Sequence, residues 1–334
     1  MKKKRFASLL IVAPLALLAA CSSTPSLVLE SNWYLDTGTK DVQDNFEETL
    51  VYAVSFEKSA AAQNGKFYLD YPDGGTYTVK FEDGEVNGKK TYVYSTELKM
   101  KVVYSLNGTS REFNDVVTTR VEFLDVQNEL RPLSSIREVH GTTPLASPTS
   151  APDSLDKAYA KLDYKNEIAY DWNEEIAHFT QTNLSSEATE ANKQTEEIDV
   201  DVNGLYFDNE QLFPLLRAAE LSSAMVIYTI DPTDTKKHRA DKIAVTDGPT
   251  AATLKQSVKL SGDAEAVERD FNVTEISLRY NKANSGGAQK YTIAQRTARD
   301  HNSYRNVILK YEYPVIYSHG ILTYRLTEAN FYGA

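Results

Sequence analysis

Residues 92–108 read YVYSTELKMKVVYSLNG and alternate between apolar and polar side chains. The apolar series takes every second position and consists of Tyr92, Tyr94, Leu98, Met100, Val102, Tyr104 and Leu106, with Thr96 as its one polar member. A period of two places this series on one face of a β-strand and the polar residues on the other. At ~3.3 Å per residue the strand is about 50 Å long, roughly three times the usual length. The stretch therefore predicts a long strand with one buried face.

The dipeptide Asn107-Gly108 ends this strand with the strongest short-range signal for a hairpin, because both residues accept the positive φ angles of a type I′ turn. A turn at this point fixes the register of the two strands. The predicted pairs are Val102–Phe113, Leu98–Val117, Thr96–Thr119, Tyr94–Val121 and Tyr92–Phe123. The partners match in kind in every pair, whereas a slip of one residue would send the whole set to the other face.

Two further hairpins follow from the same alternation. In the first, Phe67, Leu69 and Tyr71 would face Phe81, Val79 and Tyr77 across a turn at residues 73–75. In the second, a strand with Val307, Leu309, Tyr311, Tyr313, Val315 and Tyr317 on one face would turn at Ser318-His319-Gly320 and return through Leu322, Tyr324 and Leu326. No βαβ rhythm and no glycine-rich strand-to-helix turn occurs, which argues against a parallel nucleotide-binding sheet.

One segment, Asp208 to Leu221, predicts a helix. Asp208 and Gln211 resemble a capping box, but Pro214 inside a helix would cost about 3 kcal/mol. A helix that begins near Phe213, with Pro214 in its first turn, avoids this cost. We therefore predict a mainly β fold, a long-stranded antiparallel sheet curled into a half-barrel, with a short helix packed on its concave face.

The N-terminus has the organisation of an export signal. Basic residues 2–5 precede an apolar stretch, Phe6 to Ala20, that is too short for the ~20 residues of a membrane span. Leu18-Ala19-Ala20-Cys21 then resembles a bacterial lipobox, and Cys21 is the only cysteine. We predict cleavage before Cys21 and lipid attachment to its thiol, which makes Cys21 an anchor rather than a nucleophile or metal ligand. An ordinary signal peptide that leaves a free thiol nearby is the alternative.

The anchor predicts a location in a bacterial cell envelope. Because Ser22 rather than aspartate follows Cys21, we expect the outer membrane in a two-membraned bacterium, and otherwise the outer face of the cell membrane. The predicted organisation is a signal peptide over 1–20, a tether over 21–45 and a single curled β-sheet domain over 46–334. Loops are expected near 141–156 and 181–197, and a division into two domains at the first loop is the alternative.

The charge of the chain bears on its partners. Removal of residues 1–20 takes four of the 36 basic residues and none of the 47 acidic ones, which leaves a formal charge of −15. So acidic a protein is poorly suited to the phosphate backbone, and we expect no nucleic acid partner.

Several segments fall in an order that is typical of a known family. A long hairpin ends in Asn128 to Leu133, and Ile168 to Trp172, Leu212 to Arg217 and Gly320 to Leu326 follow. This order resembles a family of uncharacterised bacterial exported lipoproteins whose long antiparallel sheet curls around a central helical segment, similar in shape to the lipoprotein-carrier fold. The resemblance covers roughly Val51 to Phe331. It implies a concave apolar surface of the kind that relatives use for lipid or lipoprotein chains, and no catalytic residues.

No motif predicts catalysis or a cofactor. The histidines, which are His140, His178, His238, His301 and His319, show no metal-ligand spacing, and His319 and His301 are expected on the surface. The chain has neither a GxSxG elbow nor a P-loop. Glu174-Glu175 and Asp199 with Asp201 could form a glycosidase pair or a calcium site, but with 47 acidic residues such pairs are expected as solvated turns. We therefore expect no metal, no cofactor and no enzymatic activity.

The leading hypothesis is a membrane-anchored lipoprotein that binds a hydrophobic ligand, a lipid or a lipoprotein chain, in the concavity of its sheet. The candidate lining residues are Leu98, Met100, Val102, Phe113, Val117, Val121, Phe213 and Leu216. The alternative is a structural or scaffold protein of the envelope that binds another protein through edge strands or a surface patch. The tyrosine-rich faces could line a groove, although core packing would also explain them.

Overall fold

The computed structural model describes residues 27–29, 47–124, 130–150, 152–185, 193–200, 206–230, 241–280, 287–295 and 306–332. The strands are β1 (Glu47–Lys58), β2 (Phe67–Asp70), β3 (Gly75–Val86), β4 (Lys89–Leu106), β5 (Thr109–Leu124), β6 (Arg131–Pro144), β7 (Tyr159–Asp171), β8 (Ile176–Asn183), β9 (Lys193–Asp199), β10 (Tyr206–Asp208), β11 (Val226–Ile230), β12 (Asp241–Leu260), β13 (Val267–Tyr280), β14 (Gln289–Ala294), β15 (Ile308–Pro314) and β16 (Gly320–Tyr332). The α-helices are α1 (Ala60–Asn64) and α2 (Leu212–Ala218). Cys21 lies outside the described residues.

All of these strands belong to one sheet, in the order β10-β11-β12-β13-β14-β15-β16-β1-β3-β4-β5-β6-β7-β8-β9, with β2 beside β4. Most neighbours are antiparallel, as predicted, but β10 pairs with β11 in parallel and the end of β12 pairs in parallel with β16. Because β12 to β16 are also consecutive neighbours, the second parallel contact closes those five strands into a ring. The sheet is therefore mixed and curled, and the predicted fold class is confirmed.

The hairpin of β4 and β5 has the predicted register. Val102 lies opposite Phe113, and the other four predicted pairs are also present. Asn107 and Gly108 both have positive φ angles, 51° and 83°, as the two-residue turn requires. The predicted long strand is confirmed, since β4 has 18 residues.

The hairpin predicted between residues 67 and 81 is wrong. β2 and β3 do not pair with each other; both pair with β4, with Phe67 opposite Leu106 and Gly75 opposite Met100. β2 and β3 follow each other along the same edge of β4, and a short turn interrupts them. In this turn the amide of Gly74 donates to the carbonyl of Tyr71 at 3.0 Å. β4 is long enough to offer one edge to both strands in succession, and the alternation of β2 and β3 alone did not reveal this partner.

The last hairpin is confirmed, with Tyr311 opposite Tyr324 and Tyr313 opposite Leu322. Its predicted face is buried only in part. Val307 and Leu309 are in the core, whereas Tyr313 and Tyr317 are exposed.

The predicted loops are shorter than expected. Residues 141–144 continue β6, and residues 181–183 and 193–197 belong to β8 and β9. These residues are polar because their strands have one solvent-exposed face, and a polar composition of this kind is also typical of turns.

Helix α2 follows the predicted capping box. The side chain of Asp208 accepts from the amide of Glu210 at 2.9 Å, and the side chain of Gln211 accepts from the amide of Asp208 at 3.4 Å. The helix begins at Leu212, so Pro214 falls in the first turn, where its missing N–H has no cost. All residues of the helix are buried against the sheet.

An ion pair joins the end of α2 to β1. Arg217 contacts both carboxylate oxygens of Glu48, at 3.0 Å for Nη2 and Oε2, and both side chains are fully buried. The guanidinium also lies 5.6 Å from the ring centre of Phe81. Two charges that are removed from water in this way stay only because each neutralises the other.

Part of the predicted tether is packed on the body. Leu27 and Leu29 are buried, and Leu29 forms a bridge with Ala219 just after α2. The amide of Glu220 donates to the carbonyl of Val28 at 2.8 Å. The predicted tether therefore contacts the body from Leu27 onward, six positions after Cys21.

The two edges of the sheet approach each other. Ile198 of β9 and Ile230 of β11 belong to the same apolar cluster, and the hydroxyl of Tyr170 on β7 donates to Asp208 of β10 at 2.6 Å. The sheet therefore wraps around α2, which lies on its concave face.

Removal of one member of the buried ion pair will destabilise the fold. We expect Glu48→Leu to lower the free energy of unfolding by about 3–5 kcal/mol, because it leaves the buried charge of Arg217 without its carboxylate. The double variant Glu48→Leu, Arg217→Met will recover most of this loss. Urea denaturation measures both.

The control is Glu268→Leu, which removes an exposed partner of Lys255 (exposed fractions 62% and 63%). It should change the free energy of unfolding by less than about 1 kcal/mol. A single Glu48 variant as stable as this control would contradict the assignment.

Candidate ligand-binding groove

Aromatic side chains fill the concave face around α2. The ring of Phe213 lies 5.7 Å from that of Tyr52, 6.1 Å from Tyr311 and 6.5 Å from Tyr94. Burial raises the pKa of the Tyr52 and Tyr94 hydroxyls well above 10, so these rings stay uncharged. The centre of the half-barrel is therefore solid.

The concave face becomes accessible beyond the helix. Tyr77, Leu98 and Val117 lie opposite one another on β3, β4 and β5. Each of these strands has a neighbouring strand on both sides, so the three residues are not exposed at an edge of the sheet. All three are nevertheless only half-buried, although their face of the sheet is the one that carries the core. Their exposed surface must therefore open into the concavity.

We call this surface the concave groove. It is lined by half-buried residues that point to the concave face, which are Tyr77, Leu98, Val117, Phe113, Asp115 and Tyr311. Tyr77 connects its two sides, since its ring lies 6.1 Å from that of Tyr311. Burial raises the pKa of Tyr77 to about 12.

Three further aromatic residues form the rim. Phe56 and Tyr71 are half-buried and contact each other with ring centres 4.9 Å apart. Tyr313 lies on the same row of the sheet as Phe56, since both flank Leu322, and is 37% exposed. These residues lie toward the end of β1 and β15, so the groove opens at that end of the sheet.

The eight predicted lining residues fall into two groups. Leu98, Phe113 and Val117 lie in the concave groove. The other five are buried in the core, and they are Met100, Val102, Val121, Phe213 and Leu216. Val102 and Val121 have no accessible surface at all, so no space for a ligand touches them.

Asp115 is the polar member of the groove. Its carboxylate accepts from the amide of Thr142 at 3.2 Å and from the hydroxyl of the same residue at 3.1 Å. Burial raises the pKa of Asp115 to about 6, and the two hydrogen bonds from Thr142 oppose this rise.

The position of Asp115 marks a split in the sheet. β5 and β6 are paired only as far as Val116 and His140, and beyond this point the Asp115 carboxylate takes the place of the backbone ladder. Tyr159 of β7 fills the split, with its ring 4.8 Å from that of Phe113. Arg111 donates to Tyr159 and to Asp156.

The other polar candidates have structural roles or lie on the surface. His319 is not on the surface as predicted: it is buried, its Nε2 lies 2.8 Å from the carbonyl oxygen of Ala146, and its ring meets Phe67 edge-on. Burial lowers the pKa of His319. Glu174 and Glu175 form an exposed turn, whereas Asp201, His238 and His301 lie outside the described residues.

No group of three histidine, cysteine, aspartate or glutamate side chains within the described ranges is arranged to hold a metal ion. In the same part of the chain, none of the helices has the length and hydrophobicity that a membrane crossing requires.

No protein-family model, curated protein sequence or solved structure shows a significant match to this chain. The resemblance to a lipoprotein family therefore stays a prediction.

Asp115 and the rim residue Tyr71 were absent from the predicted site. A signal for Asp115 was present in the sequence, because a carboxylate interrupts the apolar series of β5 between Phe113 and Val117. Tyr71 had no comparable signal, since its place depends on β2 pairing with β4.

The raised pKa of Asp115 makes stability depend on pH. In the unfolded chain this carboxyl has a pKa of about 3.9, so between pH 4 and 6 the folded protein holds a proton that the unfolded chain releases. The free energy of unfolding should therefore fall as the pH rises through this window. Over this pH range we expect the free energy of unfolding of the wild type to fall by about 1–2 kcal/mol relative to that of Asp115→Asn. This figure allows for the partial exposure of Asp115.

Urea denaturation of both proteins at pH 4.5 and 7 measures this difference. Asp208, whose pKa burial also raises to about 6, is present in both proteins, so its contribution cancels. Parallel stability curves for the two proteins would contradict the burial of Asp115.

Proposed function

We propose that this protein is a lipid-anchored lipoprotein of the bacterial envelope that binds an apolar ligand, a lipid or a lipoprotein chain, in its concave groove. It acts without catalysis. The observation that carries the proposal is the half-buried row of Tyr77, Leu98 and Val117 in the middle of the sheet, where only an opening of the concave face can expose them.

The chemistry of the groove favours a ligand with an apolar chain. Leu98, Val117 and Phe113 offer surface that gains about 25 cal/mol for each Å² removed from water. The tyrosine rings add flat contact area with polar tips. Binding sites for small molecules commonly combine such apolar walls with few polar groups.

The contact of residues 27–29 gives the anchor a short reach. Leu27 is six positions after Cys21. An extended chain of this length spans at most ~20 Å. Leu29 bridges to Ala219, next to Arg217, whose partner Glu48 stands at the beginning of β1. A lipid on Cys21 would therefore hold this end of the sheet near the membrane.

The groove would then open away from that membrane. Phe56, on the rim, lies eight residues after Glu48 on β1, which corresponds to about 26 Å. A ligand would reach the groove from the side of the protein that faces away from its anchor. This geometry suits a carrier or sensor that receives its ligand from a second partner.

A protein-binding scaffold is the second candidate function, and one surface favours it. Leu145, Tyr317 and Ile321 are 51%, 43% and 40% exposed, and each lies within two residues of the hydrogen bond between His319 and Ala146. This surface is a better candidate than the β9 edge, which carries the charges that deter strand pairing, Lys193, Glu196, Glu197 and Asp199.

A side chain that fills the groove should abolish ligand binding. We expect Val117→Phe, in the exported Cys21→Ser form, to lose any lipid that co-purifies with the parent protein, because the added ring occupies the space beside Leu98. Native mass spectrometry and lipid extraction measure the bound ligand. Co-purified lipid retained by Val117→Phe would place it outside the groove.

The matched control is Val116→Phe, the same substitution one residue away on the outer face of β5. It should keep the ligand. A parent protein that stays free of lipid after incubation with envelope lipids would remove the ligand proposal and direct attention to the Leu145 surface.

The anchor is tested separately. In the native chain we expect an N-terminal peptide that carries acyl chains on Cys21 and a protein that sediments with membranes. Cys21→Ser should move the protein to the soluble fraction, while Ser22→Ala should not. A free thiol at Cys21 in the mature protein, detected by mass spectrometry, would contradict lipidation.

A further inference from the structure

The carboxylates in the interior of the half-barrel differ in their partners. Glu48 is paired with Arg217, and Glu210 is paired with Arg137 at 2.6 Å. Asp115 has only the amide and hydroxyl of Thr142 as partners, and no lysine or arginine of the described residues forms an ion pair with it. Charges that leave water are normally paired. Asp208 also lacks an ion pair among the described residues, but it is buried as a cap that accepts from Glu210 and Tyr170, whereas Asp115 lies on the half-buried concave groove.

The cations near Asp115 are directed to other groups. Arg111, on the same strand, donates to Asp156 and Tyr159. Lys161 of β7 lies over the ring of Phe113, with its Nζ 6.0 Å from the ring centre. Lys101, on the outer face of β4, contacts Glu112 at 2.9 Å.

The role of Asp115 at the split does not require a charge. An asparagine or serine oxygen could accept from the amide of Thr142 equally well, without the cost of a half-buried carboxylate. The charge therefore calls for a separate explanation, and the groove on which Asp115 lies provides a place for a positive ligand.

Two aromatic residues lie near the same place. Phe113 stands two residues before Asp115 on the concave face, and Tyr71 is close enough for the Asp115 charge to raise its pKa, after the larger effect of burial. Rings beside a carboxylate are the arrangement by which proteins bind organic ammonium groups, which gain from both the charge and the ring faces.

We propose that the concave groove binds an organic ammonium group carried on an apolar chain, with Asp115 as its counter-ion. This inference rests on the proposed function and specifies the ligand class. The apolar chain lies along Leu98 and Val117, and the ammonium group lies between Asp115 and the rings of Phe113 and Tyr71. The acidic character of the whole chain, with a formal charge of −11, also favours a cation.

The affinity of this site should depend on pH through Asp115. The other ionisable groups that face it are the phenols of Tyr71 and Tyr104, whose pKa values are raised by burial, together with Arg111 and Lys161. Since the pKa of Asp115 is about 6, ammonium binding should weaken below pH 6 and reach its full strength above pH 7.

The test uses three amphiphiles with the same eight-carbon tail, all below their micelle concentrations: octyltrimethylammonium, octyl glucoside and octanoate. Isothermal titration of the exported Cys21→Ser protein at pH 7.5 should give at least about tenfold tighter binding of the ammonium compound than of the glucoside, which corresponds to one well-formed charge interaction. Octanoate should bind most weakly of the three.

Asp115→Asn is the matched variant, because it preserves the shape and the acceptor for Thr142. It should lose the preference for the ammonium compound and keep the affinity for octyl glucoside. Should this variant fail to fold, the wild type at pH 5 gives the same comparison, because protonation of Asp115 then replaces the substitution.

Each outcome decides between the two proposals. Equal binding of all three amphiphiles would overturn the ammonium inference and leave the apolar groove intact. Binding of none would overturn both. If the ammonium compound is preferred, dihexanoyl phosphatidylethanolamine and octanoyl-lysine amide will show whether a lipid headgroup or an acylated peptide supplies the amine.

Discussion

The apolar face of an 18-residue strand must be covered along its whole length, and the rest of the structure follows from this constraint. A single helix of seven residues, α2, cannot cover it. The sheet therefore curls around the helix, and strands that are distant in the sequence cover one another. The curl ends where Ile198 and Ile230 from the two sides of the sheet join one cluster. Among the described inward-facing residues of β4, Leu98 stays half-buried, and it lies in the concave groove.

The polar groups of the interior show how this enclosure is maintained. Arg217 brings a charge from α2 into the core, and Glu48 neutralises it in a pair that ties the helix to β1. Asp208 stays inside as a helix cap, with hydrogen bonds from Glu210 and Tyr170. Both groups join secondary-structure elements that have no backbone ladder in common. Asp115 also bridges a gap in the ladder, but it is only half-buried, whereas Asp208 and the pair of Arg217 and Glu48 are enclosed in the core.

The position of residues 27–29 links the fold to the proposed anchor. A long free tether would let the body rotate and would leave the groove without a preferred direction. The bridge between Leu29 and Ala219 holds residues 27–29 near the end of the sheet where β1 begins, so the proposed lipid on Cys21 would lie close to that end. A lipid at Cys21 and a groove at the opposite end would divide the protein into a membrane-facing part and a ligand-facing part.

The sequence by itself determined the β4–β5 hairpin, its register and the helix cap, because each depends on residues that are close along the chain. Alternation fixes the face of a strand, Asn107-Gly108 fixes the turn, and Asp208 with Gln211 caps the 3-10 turn that leads directly into α2. Only the tertiary structure decided which strands lie beside each other over long distances. The alternating side chains of β2 are those expected of a hairpin partner of β3. β2 nevertheless pairs with β4, whose edge is long enough for both strands.

The same reason explains the outcome for the site. The sequence placed Val102 and Val117 on one face, but burial on that face depends on which elements lie above it. Val102 is covered and Val117 is open, although both have the same local pattern. Local alternation determines which way a side chain points, whereas the curl of the whole sheet determines what it meets there.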